Sequence, residues 1–151
     1  MKWKLKYSDF NQESGTSFVI ISTDLGDFDG SCQLHEEDRD IMSNFFGCRI
    51  AELRAVTKYG QKKIKLLQNK IDTYKNLIDN LERMNGYNKN SVEARFIRKQ
   101  YFISLDKLNR WTNSLNNLKD SIYTSMKNFR KDCEHFHEKV EENKQKSIET
   151  E

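Results

Sequence analysis

Two groups of side chains in this chain have the chemistry to hold an anionic ligand that carries a ring. The first is arginine-rich: Arg49, Arg54 and Lys58 fall near the start of one long helical pattern, and Arg95, Arg98, Lys99 and Arg110 on a second. A guanidinium is planar and donates two parallel hydrogen bonds, so arginine suits phosphate better than lysine does. The alternative is that these arginines shield a hydrophobic seam with their stems. The second group is Tyr87, Asn88 and Asn90, between the two helical patterns. A tyrosine face can stack on a base and asparagine amides can read its edge. The alternative there is turn chemistry alone.

Residues for catalysis are missing. The sequence contains no phosphate-binding glycine loop, no strand-turn-helix nucleophile motif and no His-Glu-x-x-His. His135 and His137 lie two apart on a helical pattern, point in different directions and read as surface histidines. Asp24, Asp27 and Asp29 resemble the start of a calcium loop, but no glutamate follows to close it, so they read as hairpin turn residues. Cys32, Cys48 and Cys133 have no metal-ligand spacing, and an odd count leaves one unpaired. A reduced cytosolic compartment follows from that, with no cofactor and no metal expected.

The elements that must position these groups are mostly helical. Ile50, Leu53, Thr57, Gly60, Ile64, Leu67, Ile71, Tyr74, Ile78 and Leu81 recur at alternating spacings of three and four. A second run does the same from Tyr101 through Leu105, Leu108, Thr112, Leu115, Ile122, Met126, Phe129, Cys133 and Phe136 to Val140. That spacing keeps one seam on a slightly under-wound helix, so both segments read as coiled-coil-like helices. Proline is absent, which permits long helices. Asn85 to Ser91 is the turn between them, with Gly86 as a C-cap and Ser91 as an N-cap. The first helix is expected from near Cys48 to about Met84 and the second from Ser91 to about Asn143, roughly 55 Å and 80 Å long.

Ahead of the helices, Trp3 to Tyr7, Phe18 to Thr23 and Phe28 to Leu34 carry strand signals, with turn residues at 11–15 and 24–27. Glu36, Glu37 and Asp38 suit a helix N-terminus, and Ile41, Met42, Phe45 and Phe46 give a short helix one apolar face to lay on the sheet. Gly47 reads as a break. The expected class is α+β in a single domain: an antiparallel β layer plus short helix over 1–46, an antiparallel helical hairpin over 47–146, and a tail over 147–151. Trp111 and Leu118 widen the apolar stripe beyond one seam, so a dimer or higher homo-oligomer is expected.

Charge is segregated along the chain. Residues 1–46 hold four basic and nine acidic side chains, whereas residues 47–100 hold thirteen basic and five acidic. A zone of that sign focuses phosphate-bearing partners. Nonspecific nucleic-acid binding ranks lower, because acids interrupt the zone and aromatics are few in it. No apolar stretch is long enough to span a bilayer and no signal peptide is evident, so a cytoplasmic protein without membrane contact is expected.

A short β layer, then Gly47-Cys48-Arg49-Ile50-Ala51-Glu52-Leu53-Arg54-Ala55, then a long hairpin with an Asn-rich tip followed by Arg-Phe-Ile-Arg-Lys, resembles phage-encoded Thoeris anti-defence sponges. The resemblance covers most of the chain in architecture. It implies a small oligomeric protein that holds cyclic ADP-ribose isomers in end pockets without cleaving them, in the host cytoplasm. Arg54 and Arg110 would then contact phosphate, and Tyr87 with Asn88 or Asn90 would hold the base; from the arginine group, Arg95 is expected among the ligand-binding residues as well. The expected function is capture of a cyclic nucleotide signal. The competing expectation is a helical interaction protein that docks on a host or phage protein.

Overall fold

A computed structural model describes residues 1–34, 36, 44–84 and 86–148. Its elements run β1 (Lys4–Asn11), β2 (Thr16–Thr23), β3 (Gly26–Gln33), α1 (Asn44–Arg83) and α2 (Val92–Ile148), an α+β layout with the sheet first. The short helix expected to end in Phe45 and Phe46 lies mostly on residues 37–43, outside those described; its last residues belong instead to α1, which starts at Asn44 rather than near Cys48. The chain divides into two compact units, Met1–Thr57 with Leu118–Glu151, and Lys58–Asn117.

In the first unit the strands form an antiparallel meander in the order β1-β2-β3. Alternation decides its faces. Ser17, Val19 and Ile21 of β2 point to one side and are buried, with Cys32 of β3 beside them. The register places Val19 opposite Gly30 and Ser17 opposite Cys32, which completes that face. The first turns of α1 cover it, through Ile50, Ala51, Leu53, Ala55 and Val56, all buried. Burying Val19, Ile21 and Ile50 contributes about 1.5–3 kcal/mol each. Cys133 of α2 joins the same core, and Phe129 stacks on Phe46 with ring centroids 4.3 Å apart.

Gly47 does not break the chain. It lies inside α1, where a Cβ would stand 2.2 Å from the Ser17 hydroxyl oxygen. The missing side chain lets the helix sit directly on β2, so the glycine serves close approach. β1 also runs four residues past the expected Tyr7. Its register shifts between Leu5 and Tyr7, leaving Lys6 as the extra residue. Such a bulge swaps which residues face the core and hides the alternation beyond it. The ammonium of Lys6 pairs with Asp27 of β3, and that partner holds the Asp27 carboxyl below its usual range.

The second unit is a helical hairpin. Contacts join Glu82 to Arg98 and Tyr59 to Trp111, so the two helices run antiparallel. Its buried stripe is narrow: Tyr59, Ile71, Ala94, Ser104 and Leu115. Ser91 caps α2, its hydroxyl oxygen accepting from the Ala94 amide at 3.1 Å. Gly86 has φ +81°, as expected of a helix C-cap glycine. α2 remains helical to Ile148, beyond the expected end near Asn143 and through the start of the supposed tail. No described helix is long and apolar enough to cross a membrane.

Candidate functional site: a basic groove with a tryptophan

The two units differ in charge. Lys58–Asn117 contains thirteen basic and five acidic residues, a net of +8, and the sheet-bearing unit a net of −5. Within the basic unit a groove of about 520 Å³ lies between the helices, lined by Lys63, Leu66, Leu67, Lys70, Lys107, Arg110 and Trp111. That volume falls in the range of small-molecule sites, about 300–1,000 Å³.

Helix geometry explains why these residues meet. Lys63 and Lys70 are seven apart on α1, two turns along one face, with Leu66 and Leu67 between them. Lys107, Arg110 and Trp111 share a face of α2 at spacings of three and four. Trp111 is half-buried and fixed by an edge-to-face contact with Tyr59, whose ring centroid is 5.4 Å away at an interplanar angle of 88°. The groove therefore combines cations, an apolar floor and a positioned aromatic. Phosphate attraction and ring stacking are what such a set can do.

Arg110 already holds a partner. Its Nη2 lies 2.6 Å from Asp106 Oδ2, with both side chains more than half exposed. An exposed pair of this kind is worth about 0.2–1 kcal/mol. A charge-assisted bond from arginine to a phosphate is worth about 1.5–3 kcal/mol, so a phosphate displaces Asp106 rather than the reverse. Lys70 sits 5.7 Å from the centroid of the Tyr74 ring, one turn further along α1.

The other expected site residues have different surroundings. Tyr87 is half-buried at the turn, and its hydroxyl accepts from Arg98 Nη2 at 2.7 Å. Arg98 also donates to Glu82 Oε1 at 2.9 Å and stands over the Tyr87 ring at 5.9 Å. Asn88 Oδ1 accepts from the Asn90 amide at 2.9 Å, and the Asn88 carbonyl accepts from the Ser91 amide at 3.0 Å. Both contacts shape the turn. Arg95 is exposed in the first turn of α2. Arg54 belongs to the sheet unit, where its Nη1 donates to the Ser31 carbonyl of edge strand β3 at 2.7 Å.

Sequence reasoning named Arg110 but passed over Lys63, Lys70 and Lys107 as groove residues. The signal that finds them is a two-turn lysine pair flanking leucines, opposite a lysine and an arginine followed by a tryptophan. No protein-family model, curated protein or solved structure matches the chain.

Proposed function

We propose that this protein is a non-enzymatic, phage-type anti-defence protein that captures a small cyclic nucleotide signal and holds it intact. The signal would be a cyclic ADP-ribose isomer or a cyclic oligonucleotide. The observation that carries the reading is the groove of Lys63, Lys70, Lys107 and Arg110 around Trp111. A nucleotide presents both chemistries that this lining accepts, a phosphate and a flat ring. Among the described residues the lining offers no serine, cysteine or histidine to attack a phosphoester, in keeping with the proposed binding without cleavage.

A thermal-shift screen against cyclic nucleotides and ADP-ribose isomers tests this. Ligand at a hundred times its dissociation constant stabilises by about 2.7 kcal/mol. Ligand released by heating the complex is expected unchanged in mass. Hydrolysed ligand would restore an enzyme, and the absence of any thermal shift would remove the reading.

A second reading, a helical protein that docks on another chain, is favoured by Val92, Phe96, Phe102 and Ile103 of α2, which are all exposed. The same residues support a homo-oligomer. Two units of charge +8 repel at low salt, so self-association should strengthen as ionic strength rises. Light scattering across a salt series measures it, and a monomer mass throughout would count against assembly.

A further inference from the structure

The proposed capture function leaves the class of nucleotide open, and the spacing of the groove's cations narrows it. We infer that the groove selects a ligand whose two phosphates are held apart by a macrocycle, rather than one with a single phosphate or a pyrophosphate. This inference rests on the nucleotide-capture reading and sharpens it.

The four cations are not bunched. Lys63 and Lys70 are separated by seven residues of α1, about 10.5 Å along the axis, and Lys107 and Arg110 by three residues of α2, about 4.5 Å. Because the helices run antiparallel, Lys63 shares one end of the groove with Arg110 and Trp111, and Lys70 shares the other with Lys107. Each end therefore offers two cations, one from each helix. Leu66 and Leu67 occupy the floor between the ends and offer nothing to an anion.

This arrangement sorts ligands by geometry. A cyclic mononucleotide has one phosphate and engages one end. A pyrophosphate puts both charges across one bridging oxygen, so it too crowds into one end and leaves the opposite lysines unused. A cyclic dinucleotide carries two phosphodiesters on opposite sides of its ring and reaches both ends, with its sugars over the leucine floor and one base at Trp111. ADP-ribose and a cyclic dinucleotide carry the same number of phosphate charges, so a difference between them reads spacing rather than net charge.

The experiment is calorimetry on the full chain at fixed salt with three probes: a cyclic dinucleotide, ADP-ribose and a 3′,5′-cyclic mononucleotide. The cyclic dinucleotide is expected to bind at least about tenfold more tightly than either other probe, since one end's charge-assisted contacts are worth that factor or more. Lys70→Ala should then weaken the dinucleotide about tenfold and the mononucleotide only about twofold. Equal affinity for ADP-ribose and the dinucleotide, or an equal loss for all probes in Lys70→Ala, would overturn the two-ended selection and leave nucleotide capture standing. If none of these probes, nor any cyclic ADP-ribose isomer, is bound, nucleotide capture itself fails and the selection falls with it.

Discussion

Gly30 of β3 and Ala51 of α1 touch backbone to backbone: a Cβ on Gly30 would stand 1.9 Å from the Ala51 carbonyl oxygen and 2.7 Å from the Ala55 amide nitrogen. Neither atom belongs to a flexible side chain. The helix can seat on the sheet at this depth only because glycine faces two alanines that are themselves fully buried.

Gly30→Ala must therefore push α1 off β3. Overpacking of a filled core costs about 1–3 kcal/mol, and more where backbone has to move. Urea unfolding should show a loss at or above that range. A change under about 0.5 kcal/mol, the level of an ordinary surface substitution, would contradict the contact.

Ser17 and Gly47 form a second such contact, and here the two residues are coupled. The Ser17 hydroxyl oxygen is buried and has no hydrogen-bond partner among the described residues. An unsatisfied buried hydroxyl costs about 1–3 kcal/mol, so Ser17→Ala should raise stability. Gly47→Ala alone brings a methyl to 2.2 Å from that oxygen and should destabilise. In the double variant the oxygen is gone and the remaining approach is 3.3 Å to the Ser17 Cβ. The helix-propensity gain of alanine, about 1 kcal/mol, can then appear. A thermal-denaturation cycle with no coupling between the two changes would contradict the packing.

These glycines also show where the sequence was legible and where it was not. Alternation at Val19 and Ile21 and three-four spacing from Ile50 onward are local signals, and the sheet and both helices follow from them. Gly47 has two meanings locally, a break or a close approach, and only Ser17, thirty residues earlier in the sequence, distinguishes them. Arg54 likewise reads as a phosphate ligand until the Ser31 carbonyl, on a strand far off in sequence, is seen to accept from it. The groove lysines failed for another reason. A lysine on a polar helix face looks solvated, and its meaning comes only from the helix opposite.

The cysteines should differ in reactivity. Cys32 and Cys133 are buried, whereas Cys48 is half-exposed, and none is in a disulfide. Burial pushes the Cys32 thiol up, so it stays protonated at neutral pH and is a poor nucleophile. In native protein a maleimide should label Cys48 first, with Cys32 and Cys133 following only on unfolding. The sign for stability follows from the raised value. The contribution of Cys32 is intact below the pKa of an unfolded thiol and is lost as pH rises through the folded one, so Cys32→Ala should flatten the alkaline decline. Rapid labelling of Cys32 in the folded state would refute the burial argument.

The groove can be followed by light. The chain has two tryptophans, Trp3 and Trp111, and Trp3 donates to Glu52 Oε1 at 2.8 Å in the sheet unit. Trp3→Phe leaves Trp111 as the single indole and should spare binding, because the groove lies in the other unit. A base stacking on Trp111 should quench its fluorescence on titration with a cyclic nucleotide. Stacking contributes about 1–3 kcal/mol per base, so Trp111→Ala should weaken binding roughly fivefold to more than a hundredfold. Arg110→Ala should cost about 1.5–3 kcal/mol through the lost charge-assisted bond. Asp106→Asn, which removes the competing carboxylate, should tighten binding by up to about 1 kcal/mol. Opposite signs at neighbouring positions are hard to obtain from general destabilisation, since Arg110 and Asp106 are both more than half exposed and lie outside the buried stripe of the hairpin. Binding that weakens equally in Arg110→Ala and Asp106→Asn would show that their ion pair supports the fold and that the groove is not the nucleotide site.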